Sequence, residues 1–582
     1  MKPGSSLFAL VAVIALTTCT VGQVQQDLAE RRSTQWQRMQ DGRAYSEFLR
    51  GRYAALTNDP DQAAKFYAAA AKNEPYDKDL LERATFTSLI AADVTAAIAT
   101  AQNAPSEARD DTALPKLVLA VDSLATGKPR KAVHWLKQDT NSRFNNLIAT
   151  SLRAWALYDV AGLEAGLSEL APSSEGSPLI NGLAGVTRGL MQHHAGEDAA
   201  ALATFEAMWE DGLRLASTTE VQARLLANAG RRDEAIDLLT VFGRRVGQNA
   251  SIEATRRALI AGEDVARRDF TTSQGAAISI YTAAAALEAQ TSSDLAGVYF
   301  ALALHLDNDL HVARTLWANS LDDANRREAA IKMLQEVPES SVFYSTARGQ
   351  LAWALRREGR NDEALGTASE ALAVSADRNL KIQLGDLFRS LDELEQAEQI
   401  FTEILDEDAE GGLQDWRLLY ARGAIREQTG NWNEGETDLL TALELAPNQP
   451  ALLNYLGYSW IDRGQRLEQS LDMIQTAVKL RPNAGFIVDS LGWAYYRLGE
   501  YDKAVAHLER AVELSPSEAA LNDHLGDAFW QVGRKTEARF QWQRALKIEP
   551  EGEDASLIED KLTNGLGQPS RLPRNQSTQT TP

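Results

Sequence analysis

A single cysteine, Cys19, stands in the whole chain, so no disulfide can close within it and no set of thiolates is available for a structural zinc site. Proline is sparse at 17 residues, and the Val, Ile and Thr runs that feed strands are few beyond the first residues. Positive charge is the minority: 59 Lys and Arg stand against 81 Asp and Glu, a formal net charge of -22. That balance argues against nucleic acid as a partner, since phosphate neutralisation needs clustered bases, and against a basic membrane-binding face; its simplest role is solubility. Histidine is scarce as well. His134, His193, His194, His305, His311, His507 and His524 form no His-Glu-x-x-His pair, and the adjacent His193 and His194 point in different directions on a helix. Gly127-Lys128 lacks the earlier glycine and the following hydroxyl of a phosphate loop and reads as a helix-helix turn. The expectation is therefore no enzyme: no catalytic residues, no metal and no cofactor.

What is present is helical material. Hydrophobic residues make up 44% of the chain, with Ala and Leu dominant, and 582 residues are too many for one ordinary core. At the start, Lys2, the apolar stretch Leu7 to Leu16 and the small polar residues that follow have the shape of an export signal, too short for a permanent span. Leu16-Thr17-Thr18-Cys19 resembles a bacterial lipobox with Thr18 at the small-residue position, so Cys19 is a candidate lipidation site; cleavage near Gly22 by the ordinary signal peptidase is the alternative. No later segment is apolar for long enough to cross a bilayer.

The C-terminal third repeats itself. Leu456-Gly457, Leu491-Gly492 and Leu525-Gly526 recur at spacings of 35 and 34, followed by Gly464, Gly499 and Gly533, then Ala477, Ala511 and Ala545, then Pro482, Pro516 and Pro550. A small residue in the first helix of each unit admits the second helix closely, a turn glycine takes a left-handed backbone, and a proline stops the second helix. The pattern resembles the tetratricopeptide repeat: Gly492, Tyr495, Gly499, Ala504, Leu508, Ala511 and Pro516 fall on its motif, as do Gly526, Phe529, Gly533, Ala538, Trp542, Ala545 and Pro550. Gly51, Ala63, Tyr67, Ala70 and Pro75 make a well-formed early copy, and the copies between decay. The resemblance covers residues 41 to 550 and implies an all-α, right-handed superhelical solenoid of about ten to twelve antiparallel helix pairs.

The expected organisation is a signal segment at 1–22, a linker at 23–40, tetratricopeptide and degenerate tetratricopeptide-like repeats at 41–340, a regular block at 341–560 and a disordered tail at 561–582. Residues 242 to 300 fit the repeat worst, so an irregular pair or a change of path is expected there.

Helical neighbours three or four apart place Asn454, Tyr458 and Ile461, then Asp489, Trp493 and Tyr496, then Asp523, Asp527 and Trp530 on the inward face of the first helices. Such an aromatic and acidic wall suits a peptide groove, with Arg497 placed to meet a ligand carboxylate. Trp493 and Tyr496 equally suit packing against the next repeat, and Trp542 reads as core. The inward positions Ile382, Tyr420, Asn454, Asp489 and Asp523 include no lysine, so a clamp for a partner's C-terminal carboxylate is not expected; a basic or apolar segment is.

The stretches Asn454-Tyr455-Leu456-Gly457-Tyr458-Ser459-Trp460, Asp489-Ser490-Leu491-Gly492-Trp493 and Asp523-His524-Leu525-Gly526-Asp527 are similar to those of long bacterial envelope repeat proteins, many of them outer-membrane lipoproteins. Within that group some act as adaptors of a periplasmic C-terminal processing protease. The resemblance implies a periplasmic, non-enzymatic scaffold, lipid-anchored if Cys19 is modified, that brings a protease or peptidoglycan hydrolase to its substrate. The alternative is a structural assembly factor for outer-membrane or secretion machinery.

Overall fold

The computed structural model describes residues 42–137, 143–170, 178–247, 249–288, 293–374, 377–551 and 553–566. The signal segment, the linker, Cys19 and residues 567–582 lie outside them. The described residues form 31 helices and no strand. Among them, no helix is long and apolar enough to cross a membrane. By compactness the chain divides at Thr367/Ala368, whereas the motif turns regular at residue 341.

The first unit opens with α1 (Gly42–Leu56), α2 (Pro60–Asn73), α3 (Lys78–Ile90), α4 (Val94–Asn103), the short α5 (Ser106–Arg109), α6 (Ala113–Ala125) and α7 (Pro129–Trp135). It continues through α8 (Arg143–Ala161), α9 (Leu163–Glu169), α10 (Pro178–His194), α11 (Asp198–Glu210), α12 (Ala216–Asn228), α13 (Arg232–Arg245) and α14 (Ala250–Ile260). Then come α15 (Thr272–Glu288), α16 (Ser293–Leu306), α17 (His311–Asp323), α18 (Arg327–Gln335), α19 (Tyr344–Arg357) and α20 (Asn361–Val374), the last of which contains the division.

The second unit holds α21 (Arg378–Ser390), α22 (Leu394–Glu410), α23 (Trp416–Gln428), α24 (Trp432–Leu445), α25 (Pro450–Asp462) and α26 (Leu467–Leu480). It ends with α27 (Gly485–Arg497), α28 (Tyr501–Leu514), α29 (Ala519–Gln531), α30 (Lys535–Ile548) and α31 (Glu553–Asn564).

Consecutive helices pack as pairs because each buries one stripe and the connection is short. α27 on α28 and α29 on α30 are typical. A side chain on Gly492 would reach within 2.6 Å of Leu508, and one on Gly526 within 2.5 Å of Trp542, which is itself fully buried. At the turn between α27 and α28, Gly499 takes φ +77°, which a Cβ would oppose. Second helices stop at Arg481, Ser515 and Glu549, each of which precedes a proline and has left the helical backbone.

The irregular stretch has a definite structure. α15 is buried on every side from Gly275 to Ala284, and α16 from Val298 to Ala303, so this pair has no solvent face and must sit inside something. What encloses it is the row of first helices of the same unit: α15 packs on α8 and α10, and α16 on α3 and α6. Trp155 of α8, fully buried, donates to Ser279 Oγ at 3.2 Å and stands where a side chain on Gly275 would fall, 2.5 Å away. The start and end of the wrap also meet, through Asn58 Nδ2 to the Ala324 carbonyl at 3.0 Å and Arg326 to the Ile90 carbonyl at 2.7 Å.

The expected tail does not begin at 561. Ala555, Ile558 and Leu562, spaced for one helical face, dock α31 on the last repeat and carry helix through Asn564.

Candidate functional site

The first helices of the second unit present the inward residues on neighbouring turns, and the structure ties them to one another. Trp493 stacks on Tyr496 with ring centroids 4.6 Å apart, and on His524 of the next repeat at 4.1 Å. His524 Nδ1 lies 3.0 Å from Asp489 Oδ2, so an aromatic stack and an ion pair join α27 to α29. Burial works against the imidazolium, yet the carboxylates of Asp489, Asp523 and Asp527 outweigh it and hold His524 above its ordinary value.

One repeat earlier, the guanidinium of Arg497 pairs with the Asp462 carboxylate and donates to the Asp462 carbonyl at 3.0 Å. Arg497 is therefore engaged between α27 and α25 in this structure. Tyr458 is half-buried, and its phenol is pushed up to about 12 by burial and by the nearby Asp462 and Asp489. Asn454 is 9% exposed, and its Oδ1 has no hydrogen-bond partner.

At the last repeat α31 occupies the inward face. Lys561 Nζ sits 2.6 Å from Asp523 Oδ2 and 3.0 Å from Asp527 Oδ2, while Asp527 Oδ1 accepts from the Trp542 indole at 2.9 Å. Burial and the charge of Asp523 push the Asp527 carboxyl up to about 6, against the pull of Lys561 and Trp542. Burial lowers the Lys561 ammonium less than the two carboxylates raise it, so it stays firmly charged. Trp530 donates to the Leu566 carbonyl at 3.2 Å, and Gly565 lies so close to its ring that any side chain there would collide. Asp523, Asp527 and Trp530, expected to receive a partner, are thus covered by the chain's own C-terminal helix.

The wall is consequently not an uncompensated acidic surface: His524, Lys561 and Arg497 each answer a carboxylate. What stays open on α27 is Phe486, 53% exposed, with Trp493 half-buried on the same helical face. The reading of the residues overlooked Phe486, His524, Lys561 and Leu566. Lys561 was findable: it follows Asp527 by one repeat length.

In the first unit the corresponding faces of α3, α6, α8 and α10 are packed by α15 and α16. His193, nearly fully buried, is bonded through Nδ1 to Asp198 and through Nε2 to the Arg268 carbonyl, each at 2.9 Å, and His194 stacks on Phe270. Both histidines hold the 261–271 segment in place.

The family model described as Tetratricopeptide repeat matches residues 490–554. A TPR repeat-containing protein of Pseudomonas aeruginosa is 31% identical over 158 residues, 27% of this chain and 26% of the relative, so the chain spans about a quarter of the length of the curated relative it matches. Among solved structures, a tetratricopeptide repeat protein from Parabacteroides merdae is 19% identical, with 44% of this chain and 97% of that one covered and a TM-score of 0.37. A chain of the APC/C hetero-tetramer Cut9-Hcn1 is 16% identical, with 84% and 96% covered and a TM-score of 0.37. The repeat period, the packed helix pairs and the family match at 490–554 agree: the chain carries tetratricopeptide repeats, and its described residues are built as an all-α helical repeat solenoid.

Proposed function

We propose that this chain is a non-enzymatic adaptor of the bacterial cell envelope, bringing a periplasmic protease or cell-wall enzyme together with its substrate. The observation that carries the binding face is the open aromatic surface of α27, with Phe486 at 53% exposure on the same helical face as Trp493. An exposed phenylalanine ring beside a half-buried tryptophan suits a partner segment that buries them. The ion pairs along the wall favour an apolar or mixed segment over a strongly basic one. Support for the envelope comes from the apolar stretch Leu7 to Leu16 followed by Cys19, a candidate for lipidation.

The test places a photo-crosslinking amino acid at position 486 and identifies what it captures in the envelope fraction, while the turnover of captured proteins is followed in cells with and without the chain. The adaptor reading expects a protease or wall hydrolase at the crosslink, and a substrate whose lifetime lengthens when the chain is removed. Capture of a stoichiometric assembly complex with unchanged turnover would overturn it in favour of an assembly factor.

A further inference from the structure

The first unit holds a cavity of about 530 Å³ at the seam where its beginning meets α16 and the turn at Arg326. This is within the range of small-ligand sites, about 300–1,000 Å³. One wall is apolar and aromatic, from Tyr67, Phe86 and Ile90. The polar lining is unbalanced: Asp59, Asp79, Glu82 and Asp294 face two guanidinium groups, those of Arg83 and Arg326.

Those two cations are already committed. Arg326 donates to the Ile90 carbonyl at 2.7 Å and feels the charge of Asp294, and Arg83 hydrogen-bonds the Tyr67 phenol. Asp59 is also used, capping α2 through the Gln62 amide at 3.0 Å. Glu82 has only the amide of Leu114, 3.2 Å from one oxygen and 3.3 Å from the other. Burial raises its carboxyl and the charge of Asp79 raises it further, more than the Leu114 amide and the charge of Lys116 lower it, and an incoming cation would offset the repulsion between the two carboxylates. An anion would meet the carboxylate excess instead.

We propose that this cavity is a binding site for an alkylammonium or alkylguanidinium group, its stem against Tyr67 and Phe86 and its charge between Glu82 and Asp294. Charge-assisted bonds to carboxylates and contact of the cation with aromatic faces supply the affinity. The ligand class covers a Lys or Arg side chain on a peptide and a free diamine, and the site belongs to the first unit, so it stands or falls apart from the α27 surface.

Isothermal titration calorimetry of the full chain tests it with three probes: pentane-1,5-diamine, an end-blocked Ala-Lys-Ala peptide, and the same peptide acetylated on the lysine. The expected result is 1:1 binding of the diamine or the unmodified peptide, whichever is the source, and at least about tenfold weaker binding of the acetylated peptide. Glu82→Gln and Asp294→Asn should each weaken binding about tenfold. Asp294 is exposed at the start of α16, so its substitution leaves the fold intact and keeps the test valid if Glu82→Gln unfolds. Equal binding of the acetylated peptide, affinity unchanged in Asp294→Asn, or no heat from either cation up to about 1 mM overturns the proposal.

Discussion

The two units solve the same problem in opposite ways. A row of first helices leaves an inner face that must be covered or wetted. The first unit covers it with part of its own chain, the apolar pair α15 and α16. The second wets it, and joins repeat to repeat by cross-links such as Asp489 to His524 and Asp462 to Arg497. A filled inner face gives packing and leaves space only at the seam cavity, whereas a bridged one keeps aromatic surface open at Phe486. The well-formed repeat motifs of the second unit and the decayed ones of the first follow the same line. Once an inserted pair supplies the packing, the inward positions answer to it rather than to the next repeat.

The strongest way to break the comparison is to unseat the inserted pair. Trp155→Ala should cost about 3–5 kcal/mol, since it opens a cavity at the α8–α15 contact and leaves Ser279 without its indole donor. Denaturant titration followed by hydrogen exchange should place that loss in the first unit and leave protection of the second unchanged. A loss spread evenly over both would refute the separation.

A smaller effect is expected at the other end. Lys561→Met removes the ammonium shared by Asp523 and Asp527 and leaves two partly buried carboxylates facing each other, so α31 should loosen by about 1–3 kcal/mol. Faster amide exchange in Glu553–Asn564, with α27 and α28 protected as before, is the readout. Unchanged exchange would mean that Ile558 and Leu562 alone hold the helix.

The smallest effect sharpens the electrostatic half of the comparison. His524 has its folded-state pKa raised, so its contribution is complete below the unfolded value and is lost as pH rises through the folded one. Asp527 acts in the same sense: between its ordinary value and about 6 the folded chain keeps a proton that the unfolded chain gives up, and stability falls as pH rises across that window. The second unit should therefore lose stability from mildly acid to neutral pH, and His524→Gln should flatten the upper part of that slope in denaturation curves measured at several pH values. A slope that the substitution leaves unaltered would show that the Asp489 to His524 pair carries no linkage.

Much of the fold was legible because repeat positions are set locally. Gly492 must be small where Leu508 enters, Gly499 must accept a positive φ, and Pro516 must stop a helix, so one motif copied at a fixed period specifies the pairs. The inward positions were also legible as a set, since Asp489, Trp493 and Tyr496 share a helix face whatever lies beyond it. Their partners were not. His524 looked isolated because its ion pair is 35 residues away in sequence, and Lys561 looked like the start of a tail because the residues after it are polar.

The sequence by itself determined that this is a helical repeat array, where its pairs turn, and which side chains share a face of each first helix, because each of these follows from contacts within a helix or between consecutive helices. Tertiary structure decided what those faces meet. That α15 and α16 fill the first unit and α31 closes the last repeat depends on contacts between residues far apart in the chain, such as Trp155 with Ser279, which no local periodicity records.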